Sequence, residues 1–266
     1  MTRWIVALLM LLAAGCKSVQ TTQPGAVGVD RKQSMLVSSE TVNRSADKAY
    51  QQVIAEARKK SQLDRDAAQV ARVRGVAQRL IPRTGVFRPD APAWSWEVHV
   101  IGSNDLNAWC MPGGKIAFYT GLIERLQLGD DEIAAVMGHE IAHALREHGR
   151  ERVSKAYAQS IGLTVVGAAL GMSNAALDLS RVVLDVTFNL PNSRTDEQEA
   201  DRIGVELAAR AGYDPHAAVS LWQKMQKTGG AKPPQFLSTH PSTETRLGDL
   251  KVYAERVMPL YQQARR

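Results

Sequence analysis

The segment His139-Glu140-Ile141-Ala142-His143 sets two imidazoles four residues apart. On an α-helix that spacing puts both on one face and aims them at a single point. Imidazole nitrogen is a preferred donor to Zn²⁺, and a catalytic zinc site uses three protein ligands with the remaining position open to water. Glu140, between the two histidines, is placed to take a proton from such a water, so the chemistry the pattern suits is metal-assisted hydrolysis. A third ligand has to come from elsewhere. The stretch Asn192-Ser193-Arg194-Thr195-Asp196-Glu197-Gln198-Glu199-Ala200-Asp201 offers carboxylates at the start of a second helix. Glu197 and Asp201 lie one turn apart on a shared face, so Glu197 can bind the metal while Asp201 accepts a hydrogen bond from the far nitrogen of a ligand histidine. By spacing alone Glu199 competes with Glu197 for the ligand role.

These groups need rigid elements behind them. Gly129-Asp130-Asp131-Glu132 supplies an N-cap candidate at Asp130 and acidic residues in a first helical turn, where the helix dipole favours negative charge. Ile133, Val136, Met137, Ile141, Ala144 and Leu145 recur at helical spacing, which predicts a helix reaching at least Arg150 with both histidines well inside it. The acidic helix runs to about Ala211, where Gly212 stops it, and Asp214-Pro215 starts the next as N-cap and first-turn proline. Lys115–Tyr119 is short, β-prone and bounded by glycines, which predicts a strand, and residues 96–101 pair with it. Such a strand beside the metal helix is suited to pairing with an extended polypeptide. Helices are expected over residues 46–61 and 65–81, before Pro82 and Pro89. The sum is an α+β class, mainly helical, with a small sheet beside the HExxH helix.

The remaining histidines read differently. His99 belongs in a strand, half-buried. His148, five residues after His143, falls off its face and reads as an outer or surface group. His216 follows Asp214-Pro215 as a solvated first-turn residue. His240 precedes Pro241 and a helix carrying Arg246, Leu247, Leu250 and Tyr253; from the residues alone it caps that helix at the surface. Arg246 suits either a substrate carbonyl or a carboxylate partner.

Four stretches carry a resemblance: residues 107–122, beginning Asn-Ala-Trp-Cys-Met-Pro-Gly-Gly; His139 to His148; Glu197 to Asp201; and Thr239-His240-Pro241 with Arg246. Together they resemble the zinc metallopeptidase family of HtpX and the CAAX prenyl endopeptidases, of gluzincin type, and within it a bacterial envelope lipoprotein branch that includes BepA and LoiP. The resemblance implies a zincin-like fold, one Zn²⁺ per chain and endopeptidase activity. It assigns the third ligand to Glu197 rather than Glu199, and it places His240 near the metal, either as a donor to the oxyanion of the reaction or in the open zinc position. Glu140, His240 and Arg246 are then the catalytic candidates, with His139, His143 and Glu197 on the metal and Asp201 behind them.

Residues 1–15 read as a signal peptide: Arg3, an apolar run too short to span a bilayer, then Ala13-Ala14-Gly15 before Cys16. The last four residues resemble a lipobox, which implies lipid on Cys16, and Lys17 in place of Asp points to the outer membrane. Residues 16–44, rich in Ser, Thr, Gln and Gly, read as a flexible tether, and 45–266 as the metallopeptidase domain. Cys110, the other of two cysteines, is then an unpaired thiol. The apolar run from Ile161 to Met172 falls short of a membrane span and reads as a buried helix packed through its glycines, with 171–191 as a mobile cover over the cleft.

A hydrophobic fraction of 44% is ordinary for a globular chain. The net charge of +6, from 33 basic and 27 acidic residues, is spread without a dense basic tract, which argues against nucleic acid and is compatible with an anionic membrane surface. Expected partners are polypeptide substrates, among them outer-membrane proteins or their assembly machinery. Two other classes fit the same residues: an envelope assembly or chaperone-like factor whose zinc site is mostly silent, and a zinc hydrolase acting on cell-wall material. A closed four-ligand site including His240 favours the assembly factor, and three ligands plus water favour a protease.

Overall fold

The computed structural model describes residues 17–169, 178–228, 234–241 and 244–266. In chain order its elements are β1 (Lys17–Val19), β2 (Gln33–Met35), α1 (Ser39–Lys59), α2 (Ala67–Leu80), two short 3-10 turns, β3 (Glu97–Ile101), β4 (Ala108–Met111) and β5 (Lys115–Tyr119). They continue as α3 (Thr120–Arg125), α4 (Asp130–Leu145), α5 (His148–Ala169), α6 (Leu179–Phe188), α7 (Arg194–Arg210), α8 (Ala217–Lys227), α9 (Gln235–Thr239) and α10 (Glu244–Ala264). This is the expected mainly helical α+β arrangement. Among the described residues no helix is long and apolar enough to cross a membrane. Residues 170–172 of the apolar run, and Cys16 with the signal segment, lie outside the described residues.

The two helices that carry the metal candidates are the centre of the fold. In α4 every residue from Glu132 to Leu145 is buried, and α7 crosses it with Ala200, Ile203, Val205, Leu207 and Ala208 facing inward. The approach is closest at two glycines. A Cβ on Gly204 would stand 2.7 Å from the His139 amide nitrogen, and one on Gly138 would stand 2.7 Å from the Gly204 carbonyl oxygen. Contact that close requires residues without side chains, and it brings the first turns of α7 onto the histidine face of α4. Gly204→Ala is therefore expected to destabilise the protein by about 1–3 kcal/mol through overpacking, and to weaken metal binding because the ligand helices must part. A urea midpoint and metal affinity equal to wild type would refute the close-crossing argument.

Helix α4 ends with its last apolar repeat, short of the expected Arg150. It stops at Leu145, Glu147 takes a left-handed φ of 52°, and α5 starts afresh at His148. Long-range polar contacts account for the break. Arg146 is fully buried, donating to Glu199, to Thr21 and Thr22, and to the Arg31 carbonyl, while Arg88 and Arg150 hold the Glu147 carboxylate. The N-cap of α4 is Gly129, one residue before the expected Asp130, and Glu132 reaches back to accept from the Gly129 N–H at 2.9 Å. Helix α8 likewise starts two residues beyond the expected Asp214-Pro215 start, with His216 as its N-cap.

The sheet has the order β3-β5-β4, with β3 parallel and β4 antiparallel to β5. Strand β5 exists as expected but is central: Ile116 and Phe118 pack into the core around α4, and Ala117 into a second core formed by α1, β4 and α6. Both of its edges are paired, so it has no free hydrogen bonds for a polypeptide. The edge strands are β3, bridged by Leu63 at Ile101, and β4, which is not among the expected strands.

The expected flexible tether is corrected for residues 17–44. Strands β1 and β2 pair antiparallel, Val27, Val29, Met35 and Val37 are buried, and α1 begins at Ser39, capped by the Ser38 side chain. The polar composition hid spaced valines that pack on the body, and a guanidinium, Arg31, that enters an acidic pocket formed by Glu151, Asp196 and Glu199.

Candidate metal centre

His139 and His143 leave the buried face of α4 with their Nε2 atoms 3.1 Å apart. The capping box of α7, in which Ser193 accepts from the Asp196 N–H and Asp196 from the Ser193 N–H, fixes the turn that follows. Glu197 then presents Oε1 at 3.3 Å from His143 Nε2. His240, at the end of α9, brings Nδ1 to 3.1 Å from His139 Nε2 and 3.0 Å from Glu197 Oε1. Its ring stacks on Phe236 at 4.3 Å between centroids, which holds it inward. All four residues are buried, and one donor atom from each lies within 4.8 Å of the others.

Whether these residues suit a metal ion can be judged from their lone pairs. His139 Nδ1 lies 3.0 Å from Asp201 Oδ1, and His143 Nδ1 lies 2.9 Å from His148 Nδ1, so both outer nitrogens are engaged. Two Nε2 lone pairs and a carboxylate then converge with nothing positive between them, which is costly in a buried site unless a cation sits there. Zinc bond lengths of about 2.0–2.2 Å place tetrahedral ligand atoms about 3.3 Å apart. The separations of 3.0 to 3.3 Å for His143 to Glu197, His139 to His240 and Glu197 to His240 match that edge. The residues fit the metal.

Of the two carboxylates that compete by spacing, Glu197 joins the histidines and Glu199 points the other way, into His148, Arg31 and Arg146. Asp201 stands behind His139, as its spacing predicts. His240 is 6% exposed, which rules out the surface-cap reading. Its Nδ1 lies among the candidate ligand atoms rather than to one side of them.

Arg246 is corrected as a catalytic candidate. Its guanidinium donates to both oxygens of Asp201 at 2.7 Å, reaches Glu197 Oε2 at 2.7 Å, and lies 4.0 Å over the Trp222 ring. It is buried beneath the ligands, where it neutralises two carboxylates and has no access to a substrate carbonyl. Burial works to raise the pKa of Glu197, but His240, His143 and Arg246 outweigh it and hold the carboxyl well below its usual range. Asp201 is likewise lowered: burial opposes, and Arg246 and His139 prevail.

Glu140 lies on the cleft side. It is 3% exposed, its Oε1 has no hydrogen-bond partner among the described residues, and His240 Nε2 is 3.4 Å away. Burial, with the charge of Glu197, pushes its pKa up to about 8, against the pull of His143 and of a hydrogen bond from the Cys110 backbone. That backbone group belongs to β4, so this edge of the sheet runs directly past Glu140. A cavity of about 60 Å³ opens beside them, walled by Trp109, Val153, Val183 and Val186. Cys110 is unpaired, as expected, and half-buried, and burial pushes its thiol pKa well up. Of the stretch 171–191 read as a cover, residues 171–177 lie outside the described residues, whereas α6 supplies Val183 and Val186 to the cavity wall.

His148, Arg146 and Arg31 form a layer the sequence reading left unassigned or placed vaguely. The break after Leu145 swings His148 back under His143, which an uninterrupted helix would not allow. Burial pushes His148 below its ordinary pKa. His99 is half-buried in β3 beside Asp64, and His216 pairs with Asp214 and Glu255 at the start of α8, both away from the centre.

A model of peptidase family M48 matches residues 67–254. The chain is 38% identical over 154 residues to the mitochondrial metalloendopeptidase OMA1 of Schizosaccharomyces pombe, covering 57% of this chain and 44% of that one. It is 32% identical over 243 residues to OMA1 of Bos taurus, covering 86% and 45%. To the beta-barrel assembly-enhancing protease of Escherichia coli it is 31% identical over 175 residues, covering 62% and 36%. The chain thus spans less than half the length of each of these relatives.

Proposed function

The chain belongs to peptidase family M48, and from that membership and the geometry of its donor cluster we propose that it is a zinc-dependent endopeptidase. The observation that carries the reading is the convergence of His139 Nε2, His143 Nε2 and Glu197 Oε1 beside a buried, unpartnered Glu140 oxygen. Those three residues hold the ion. Bound there, zinc supplies an acidic water and a polarised scissile carbonyl.

Glu140, beside the donor cluster, is placed to accept a proton from the attacking water and deliver it to the leaving amine. The free edge of β4 pairs with the extended backbone of the substrate and draws it past Glu140. His240, whose Nδ1 lies 3.1 Å from His139 Nε2 and 3.0 Å from Glu197 Oε1, would compete with water for the ion. Trp109, Val153, Val183 and Val186 give the cavity an apolar side on which a substrate side chain can rest.

The substrate class we propose is misfolded or misassembled polypeptide of the bacterial cell envelope, with the protein on the periplasmic side of the outer membrane through lipid on Cys16. This rests on the Ala13-Ala14-Gly15-Cys16 sequence and on likeness to a protease named for β-barrel assembly. The fourth donor, His240, favours a second reading, an envelope assembly factor with a mostly silent zinc site.

Purified protein is expected to hold one zinc per chain and to cleave casein, to lose cleavage on chelation and to regain it with Zn²⁺. Zinc at full stoichiometry without cleavage would select the second reading, and no zinc at all would end both.

A further inference from the structure

Behind His143 lies a chain of polar contacts that leaves the metal centre and ends in residues 17–38, the amino-terminal strap that carries β1 and β2. His143 Nδ1 meets His148 Nδ1 at 2.9 Å, His148 Nε2 meets Glu199 Oε2 at 3.0 Å, and the Glu199 carboxylate is gripped by Arg146 Nε at 2.8 Å and Arg31 Nε at 2.6 Å. His148 and Arg146 are 1% and 0% exposed, so water does not take their place, whereas the Arg31 side chain is 31% exposed.

The contacts admit one consistent assignment of protons for a neutral His148. A carboxylate flanked by two guanidiniums accepts only, so His148 Nε2 carries the proton that faces it. Its Nδ1 is then an acceptor, which obliges His143 Nδ1 to donate. His143 is left with an Nε2 lone pair directed at the other donors, the tautomer a metal ligand needs. The opposite assignment sets an imidazole lone pair against Glu199 and puts a proton on the nitrogen that should bind the ion.

We propose that His148 is a positioning residue that fixes the tautomer and orientation of His143, and that Arg31, by holding Glu199, couples docking of the amino-terminal strap to the affinity of the metal site. The proposal rests on the zinc reading above and extends it to residues outside the donor set. Arg31 also bridges Glu151 and Asp196, so one side chain fastens the strap both to α5 and to the first turn of α7. A strap pulled from its pocket takes one of the two guanidiniums from Glu199 and loosens the support of His148 and, through it, of His143.

The test is zinc affinity of the full chain, by competition with a chromophoric chelator, with metal-free melting as the control. His148→Ala is expected to weaken zinc by about 10–100-fold. His148→Gln should stay within about threefold of wild type, because its carbonyl accepts from His143 and its amide donates to Glu199. Arg31→Ala should fall between them. Wild-type affinity in His148→Ala overturns the positioning role, as does His148→Gln binding as weakly as His148→Ala. Wild-type affinity in Arg31→Ala overturns the coupling to the strap. If His148→Ala does not fold, ¹⁵N spectra of His143 in metal-free His148→Gln decide: Nδ1 must be the protonated nitrogen, and a protonated Nε2 refutes the relay. A wild-type protein without zinc would instead refute the metal reading itself.

Discussion

The Glu140→Gln protein is expected to keep its zinc and its fold and to lose casein cleavage by about 10²–10⁴-fold, the usual worth of a positioned acid–base group. The change is nearly isosteric, and Oε1 has no hydrogen bond to lose. What disappears is the capacity to take a proton from water beside the ligands. The same substitution has a signed consequence for stability. Burial raises the folded pKa of Glu140 to about 8 from an ordinary 4.5, so the metal-free native state binds a proton more tightly than the unfolded chain does. Its contribution is favourable at low pH and is lost as pH rises from about 4.5 through about 8. Glutamine does not titrate, so metal-free Glu140→Gln should lose less stability across that window than metal-free wild type. Melting of both proteins in chelator from pH 5 to 8 checks it. Parallel curves would mean that Glu140 is not the buried, strained acid described, and retained turnover would remove it from the mechanism.

The distance between sequence and structure is shortest where a short-range rule operates. Two histidines four apart on a helix need only helical geometry to converge, and Asp201 behind His139 follows from the one-turn offset to Glu197. The choice between Glu197 and Glu199 was different. Both lie in the first turns of α7 and both end up buried and charged, and what separates them is the angle at which α7 crosses α4, set by Gly138 and Gly204 in contact. No local pattern encodes a crossing angle, so resemblance had to decide it.

The break at Arg146 was illegible for a related reason. No proline or glycine stands at positions 146–148 to mark a stop, and the residues that hold the break, Thr21, Thr22, Arg31 and Glu199, lie more than 50 positions away in either direction. The amino-terminal strap reads as a tether because its buried apolar residues come as isolated pairs, Val27 with Val29 and Met35 with Val37, and its anchoring group is a single arginine. Strand β4 escaped notice at four residues, its Trp and Cys among turn-forming neighbours. In each case long-range contact overrode a weak local preference.

Arg246→Ala is expected to be the most destabilising single change at the centre, by about 3–5 kcal/mol, the cost of stranding buried charges by removing their partner. Glu197 is 0% and Asp201 4% exposed, and the guanidinium touches both. The loss should be larger in the metal-free protein, because a bound divalent cation still offsets Glu197 when the arginine is gone. The gap between zinc-loaded and chelated melting temperatures therefore widens in the variant. Acid should narrow the difference from wild type. Arg246 holds both carboxyls below their ordinary pKa, so the stability it confers is present above the ordinary carboxylate range and fades as pH falls through the lowered values, where the carboxyls become neutral in either protein. Urea titrations of wild type and variant, with and without chelator and at neutral and acid pH, separate these effects. A variant as stable as wild type in chelator at neutral pH would show that Glu197 and Asp201 do not depend on Arg246 for their charge. The account of a cationic floor beneath the metal ligands would then fail, while the assignment of the ligands themselves would stand.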